Sequence, residues 1–155
     1  RLLANDALKA ARQWLPSGER PKSGQPVFDV LSAPSSKMAA LPPDRQRRLR
    51  GRYGPAAEQL IEMATDERLL SPIPGTDTLW AELAFAAGEE QVKHLSDLLL
   101  RRVRLGLLCP EGGQAYLDKI KTICQPHLGW DDTRREIEQN EYMQTWQRFY
   151  APPGR

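Results

Sequence analysis

Between Leu79 and Leu108 the apolar residues Leu83, Val92, Leu95, Leu98, Leu99, Val103 and Leu107 recur with the period of a helix. A strand needs strict alternation instead, and no such alternation of about four or more residues persists outside the proline-rich segment that follows the first helix. Nor does any period of roughly 20 to 50 residues repeat. The fold class these patterns predict is all-α: a compact helical bundle of about five to six helices, with a long Pro/Gly/Ser-rich linker after the first.

The first helix covers Arg1 to Leu15, where Leu2, Leu3, Ala7, Ala10, Ala11 and Trp14 fall three and four apart. It opens inside a helical pattern with no N-cap residue ahead of Leu2, which reads as the end of something larger. Pro16, Pro21, Pro26, Pro34, Pro42 and Pro43, mixed with glycine and serine, then oppose continuous helix. Val27, Phe28, Val30 and Leu31 are the residues of this stretch able to dock as a short extended segment. The division is therefore a terminal helix at 1–15, a linker at 16–41 and a helical domain at 42–155.

Within that domain Pro43 and Asp44 open an arginine-rich helix ending at Gly54, and Pro55 begins the next, whose stripe is Leu60, Ile61 and Ala64. After Ser71 to Gly75 helical structure is expected from Leu79 to Leu108, interrupted near Gly88. A further helix is expected from about Glu111 to Cys124, with Gly129 closing the region. The last helix opens at Asp131 or Asp132, carboxylates that suit a helix N-terminus, and runs to about Tyr150.

Composition narrows the class further. Of 155 residues 40% are apolar and 27% charged, which places the chain among globular sequences able to bury one core. No apolar run approaches the roughly 20 residues of a membrane span, and the first residues lack a signal-peptide core. Cys109 and Cys124 have no neighbours at zinc-finger spacing and read as reduced thiols of a cytosolic protein.

Chemistry-bearing motifs are few. His94 and His127 stand far apart outside any H-E-x-x-H cluster, and both read as structural, so neither a metal ligand nor a catalytic residue is assigned. Gly51, Gly54, Gly112 and Gly113 do not link a strand to a helix, so they read as caps and turns and no cofactor site is expected in this piece. Trp14, Trp80, Trp130 and Trp146 are spread one to a segment and read as core, with Trp80 and Trp146 the alternatives for an interface.

Charge is uneven. Residues 1 to 54 hold 11 Lys/Arg against 4 Asp/Glu, and the remainder holds 11 against 16. Arg45, Arg47, Arg48, Arg50 and Arg52 surround one helix and leave Leu49 and Tyr53 as a narrow apolar contact. Two readings stand: a solvated helix paired with acidic residues of the same fold, or a contact in which Arg45, Arg47, Arg48 and Arg52 meet anionic lipid or another anionic partner. Glu82, Asp97, Arg101, Arg102 and Arg104 sit among leucine and valine and read as structural ion pairs, with Asp97 and Arg101 at i,i+4.

Ala81-Glu82-Leu83-Ala84-Phe85-Ala86, followed by Glu90, Asp97 and Arg101-Arg102-Val103-Arg104-Leu105, resembles the C-terminal domain of FAD-dependent, quinone-linked glycerol-3-phosphate dehydrogenases. There A-E-V-x-Y-A, a Glu, an Asp and R-R-T-R-L occur in that order. Arg52-Tyr53-Gly54, Leu128-Gly129-Trp130 and the helix Arg1 to Ala11 match flanking family segments. Gly88 stands where the family has Arg, His94 and Val103 where it has Thr, and the linker lacks the family's P-L-x-G element.

The resemblance implies a parent enzyme that oxidises sn-glycerol 3-phosphate to dihydroxyacetone phosphate by hydride transfer to FAD, then passes electrons to quinone. It makes this chain a non-catalytic accessory domain for stability or self-association, with 1–15 belonging to the upstream flavin domain. Of the family's flavin-proximal residues only Arg1 is matched, as a cofactor contact in the parent chain alone. The implied partners are the upstream FAD domain and, for the parent, the membrane periphery on the cytoplasmic side. A homodimer is allowed, and nucleic acid is not expected.

Overall fold

The computed structural model describes residues 2–16 and 30–152. Arg1, the predicted docking residues Val27 and Phe28 within 17–29, and 153–155 lie outside them. The chain forms two compact units, one ending at Val30 and the other beginning at Leu31. Among the described residues of the first unit α1 spans Leu2–Ala11 and a 3₁₀ turn spans Arg12–Trp14, with no buried residue in either. Leu2, Leu3 and Trp14, the apolar stripe of that helix, are exposed.

In the second unit Ser35 caps α2 (Ser36–Ala39), its hydroxyl accepting the Met38 N–H at 3.2 Å. This short helix lies in the stretch read as linker, and it carries Met38, with Leu41 behind it, into a core. Next come α3 (Pro43–Tyr53), opened by proline at its first position, and α4 (Ala56–Met63). The following helices are α5 (Trp80–Glu89), α6 (Leu105–Leu108), α7 (Leu117–Leu128) and α8 (Asp132–Phe149). Asp131 caps α8 by accepting the Arg134 N–H at 2.7 Å. The described residues contain no β-sheet, only an isolated bridge between Pro72 and Leu79. The predicted all-α class holds, although the described residues form eight α-helices in place of the expected five or six, because α2 and α6 are single turns.

The helix α5 explains the arrangement. It is buried from Trp80 through Ala87, which requires neighbours on every side. Leu79, Ala81 and Phe85 face a cluster with Met38, Leu49, Leu60 and Ile61, while Trp80, Leu83, Ala86 and Ala87 face another with Leu98, Leu99, Ile120 and Tyr142. Its alanines let α4 and α7 pack against it from opposite clusters. Each fully buried leucine contributes about 1.5–3 kcal/mol of transfer free energy. Edge-on ring pairs, Tyr53 with Phe85 at 5.4 Å and Trp80 with Tyr116 at 5.8 Å, fill the gaps between elements.

The interruption expected near Gly88 falls just after Glu89, and a second stretch, at Glu111, departs from the expected helix. After Glu89 the chain leaves helical geometry through Gln91, whose φ of 52° is left-handed, and re-enters as a π-helical turn at Asp97–Arg102. The Asp97 carboxylate causes the restart by accepting the N–H groups of Lys93 and His94. The helix expected from Glu111 begins only at Leu117, because Glu111, Gly112 and Gly113 form a left-handed turn with φ of 52°, 67° and 77°. That turn is clamped by α8, whose Tyr142 hydroxyl donates to the Gly112 carbonyl and whose Trp146 indole donates to the Gly106 carbonyl at 2.7 Å.

Both cysteines are buried in the cluster that holds α7, and burial pushes the Cys124 thiol up to about 12 and Cys109 upward. The neutral thiol is therefore the form the fold favours. Its contribution is fully present below the ordinary thiol value of 9.0 and is lost as pH rises toward about 12. At about pH 8 the folded C109S variant is expected to resist a thiol-specific disulfide reagent and to react fully in denaturant. Equal labelling rates in the two states would refute this placement of Cys124.

Candidate functional site

Glu82 sits in the first turn of α5 and is fully buried. Its Oε1 accepts the Leu79 N–H at 2.7 Å and a second bond from Arg48 Nη2, while its Oε2 accepts Tyr53 Oη at 2.7 Å and Arg48 Nη1 at 3.2 Å. Both side-chain donors, Arg48 and Tyr53, come from α3, five residues apart. Burial, joined by the Glu82 charge, pushes the Tyr53 hydroxyl well above its ordinary range. Burial pulls the Arg48 guanidinium down, but its bond to Glu82 together with the Glu82 charge and other nearby negative groups outweighs that and raises it. With both oxygens saturated, Glu82 locks α3 to α5 and has no lone pair aimed at solvent for proton transfer.

The other arginines of α3 diverge. Arg50 donates to the Ser32 carbonyl and Arg52 to the Arg102 carbonyl. Arg47 stands exposed and Arg45 half-buried, and among the described residues neither enters an ion pair. Asp97 pairs with Arg101. Burial raises the Asp97 carboxyl, yet the N–H groups of His94 and Lys93 and the Arg101 guanidinium outweigh it and hold it below its ordinary value. Arg102 Nε lies 4.0 Å from Glu90. Arg104 is left-handed at φ 61°, caps α6, and has no ion-pair partner among the described residues.

These pieces meet in an open groove of about 420 Å³ lined by Arg52, Glu89, Glu90, Gln91, Arg101 and Arg102. Three guanidinium groups and two carboxylates line it, and Arg101 is already paired with Asp97, so the groove is polar and carries both signs of charge. Gln91 contributes strained backbone and Arg101 and Arg102 a π-helical turn, two features that concentrate at interaction sites. No histidine, cysteine or serine lines it. A second cleft, beside Cys124 and Trp130, measures only about 30 Å³.

One hub the sequence reading missed is Glu138, buried on α8, whose Oε2 accepts the Leu95 N–H at 2.8 Å while Oε1 meets His94 Nδ1 at 3.0 Å and pairs with Arg134. Its signal was a stripe of Arg134, Glu138, Tyr142 and Trp146, each four residues from the next, placing the carboxylate on the same face as two core aromatics. His94, Glu138 and Glu141 are the group among the described residues with metal-ligating chemistry.

The described residues of the second unit thus form an all-helical unit built around one apolar helix and two buried carboxylates, with a polar groove on its surface. Residues 19–135 match the family model described as the C-terminal domain of alpha-glycerophosphate oxidase, and the chain belongs to that family. Glycerol-3-phosphate dehydrogenase 2 of Mycobacterium tuberculosis strain H37Rv is 33% identical over 157 residues, covering 92% of this chain and 26% of that protein. The protein of the same name from Mycobacterium bovis gives the same figures. Glycerol-3-phosphate dehydrogenase of Mycobacterium leprae strain TN is 32% identical over 153 residues, covering 88% of this chain and 26% of its own. The chain thus spans about a quarter of the length of the curated relatives it matches. No solved structure matches it.

Proposed function

We propose that this chain is a non-catalytic accessory domain, stabilising or mediating self-association of a flavoenzyme that oxidises sn-glycerol 3-phosphate to dihydroxyacetone phosphate with FAD and passes electrons to quinone. The observation that supports this reading is that Glu82, the buried carboxylate of the central helix α5, has both oxygens taken up by partners inside the fold. The names of the relatives, each almost four times longer than their match, support the choice of substrate.

The described residues do not fit a flavin. Among them no strand leads through a glycine-rich loop into a helix, and the groove is open and charged. In this reading the flavin belongs to a domain upstream of this one in the same polypeptide, and the groove to contacts between domains or copies. No helix among the described residues is long and apolar enough to cross a membrane. The proposed membrane association is peripheral, on the cytoplasmic face, and belongs to the parent chain.

The alternative reading, an arginine helix that grips anionic lipid, is weakened by geometry. Arg48, Arg50 and Arg52 are engaged within the fold, which leaves Arg45 and Arg47 for such a contact. The deciding experiment pairs the 155-residue chain with one extended upstream to the length of the relatives, each assayed for flavin content and for glycerol 3-phosphate oxidation with a dye acceptor. Flavin and activity are expected in the long form alone. Stoichiometric FAD on the short form, or a flavin-loaded long form that leaves glycerol 3-phosphate untouched, would overturn the reading.

A further inference from the structure

We propose that His94, Glu138 and Glu141 form a binding site for one divalent transition-metal ion, with zinc as the fitting test ion. Glu138 and Glu141 lie three apart on α8 and therefore share a face. His94 arrives from a different part of the chain, the segment between α5 and the π-helical turn. Each of the three offers a ligand atom, and those atoms all lie within 4.8 Å of one another. Around a tetrahedral ion with ligands at about 2.0–2.2 Å, neighbouring donors stand about 3.4 Å apart, so the set closes by a small movement. Glu141 and His94 are exposed and free to make that movement, while Glu138 is buried and fixed.

The surroundings position Glu138 and the backbone of His94 before any ion arrives. The Asp97 carboxylate accepts the His94 N–H at 3.0 Å and sets the backbone that carries the imidazole. Leu95 N–H holds Glu138 Oε2 at 2.8 Å and leaves Oε1 toward His94 Nδ1. Second-shell bonds of this kind fix the geometry of metal ligands. Arg134 already pairs with Glu138 Oε1, and an ion on that oxygen would take the place of its direct contact with His94 Nδ1, leaving Arg134 the other lone pair. One imidazole with two carboxylates selects a borderline transition metal over magnesium or calcium, and three protein ligands leave a coordination position for water. The bound ion would staple α8 to the segment that enters the π-helical turn, a link between residues 44 apart that Glu138 otherwise makes alone.

Calorimetric titration of zinc into the metal-free chain, in a non-coordinating buffer, is expected to give one site per chain and a raised Tm on loading. Cobalt substitution should add visible absorption from imidazole and carboxylate ligation. H94Q and E141Q, both at exposed positions, should keep the helical circular dichroism of the parent yet each weaken zinc binding at least about tenfold, while H127Q, changing the other histidine, should leave it intact. Absence of zinc binding at millimolar concentration, binding unchanged in H94Q and E141Q, or binding abolished by H127Q would each overturn the proposal.

Discussion

Replacing Glu82 by alanine is expected to destabilise the helical unit by about 3–5 kcal/mol, the range for removing one partner of a buried ion pair. The loss is compound. Arg48 would keep a half-buried guanidinium with no counter-charge, Tyr53 would lose its acceptor, and the Leu79 N–H at the start of α5 would be buried and unbonded. Because Glu82 is fully buried, water cannot take over these bonds without opening the contact between α3 and α5. E82Q should fall between the two, since an amide keeps the shape and can accept the Leu79 N–H but does not neutralise Arg48. Urea unfolding followed by circular dichroism measures the effect, and a double-mutant cycle with R48A should show strong coupling. A loss below about 1 kcal/mol for E82A would mean that the carboxylate is not the lock described here.

G112A is the second large effect, at about 2–4 kcal/mol, from two sources that a control separates. A side chain at φ 67° is strained, and its Cβ would stand 2.8–2.9 Å from the Trp146 ring, which the bond to the Gly106 carbonyl holds in place. Gly75 has φ 80° but nothing within 4 Å of where a Cβ would sit, so G75A carries the strain alone and should cost about 1 kcal/mol. Thermal unfolding of the two variants side by side reads the difference as the cost of displacing Trp146. Equal losses would show that the turn and α8 do not clamp each other.

The relation between these two sites and the proposed role is direct. Glu82 ties the first helices of the unit to α5, and the Gly112 turn ties α8 to the opposite cluster. Glu82 holds α3 and α5, which border the charged groove through Arg52 and Glu89, so its loss should disturb that surface in a longer enzyme without removing a reacting group.

The helices were legible because their causes are local. The period of Leu83 to Leu107, the proline opening α3, the Asp131 cap and the glycine after α7 are readable within a few residues of where they act. The ion pair of Asp97 with Arg101 also lies within one helical turn. Tertiary structure decided what sits far apart in the chain. Glu82 finds Arg48 across 34 positions, and His94 finds Glu138 across 44. No local pattern encodes such pairs, because a charge near a core gains its partner only when two helices close over it and exclude water. The same holds for the left-handed turn at Glu111, where local periodicity favoured helix and Tyr142 and Trp146 from α8 bond backbone carbonyls at and near the turn, whereas the interruption near Gly88 was legible locally.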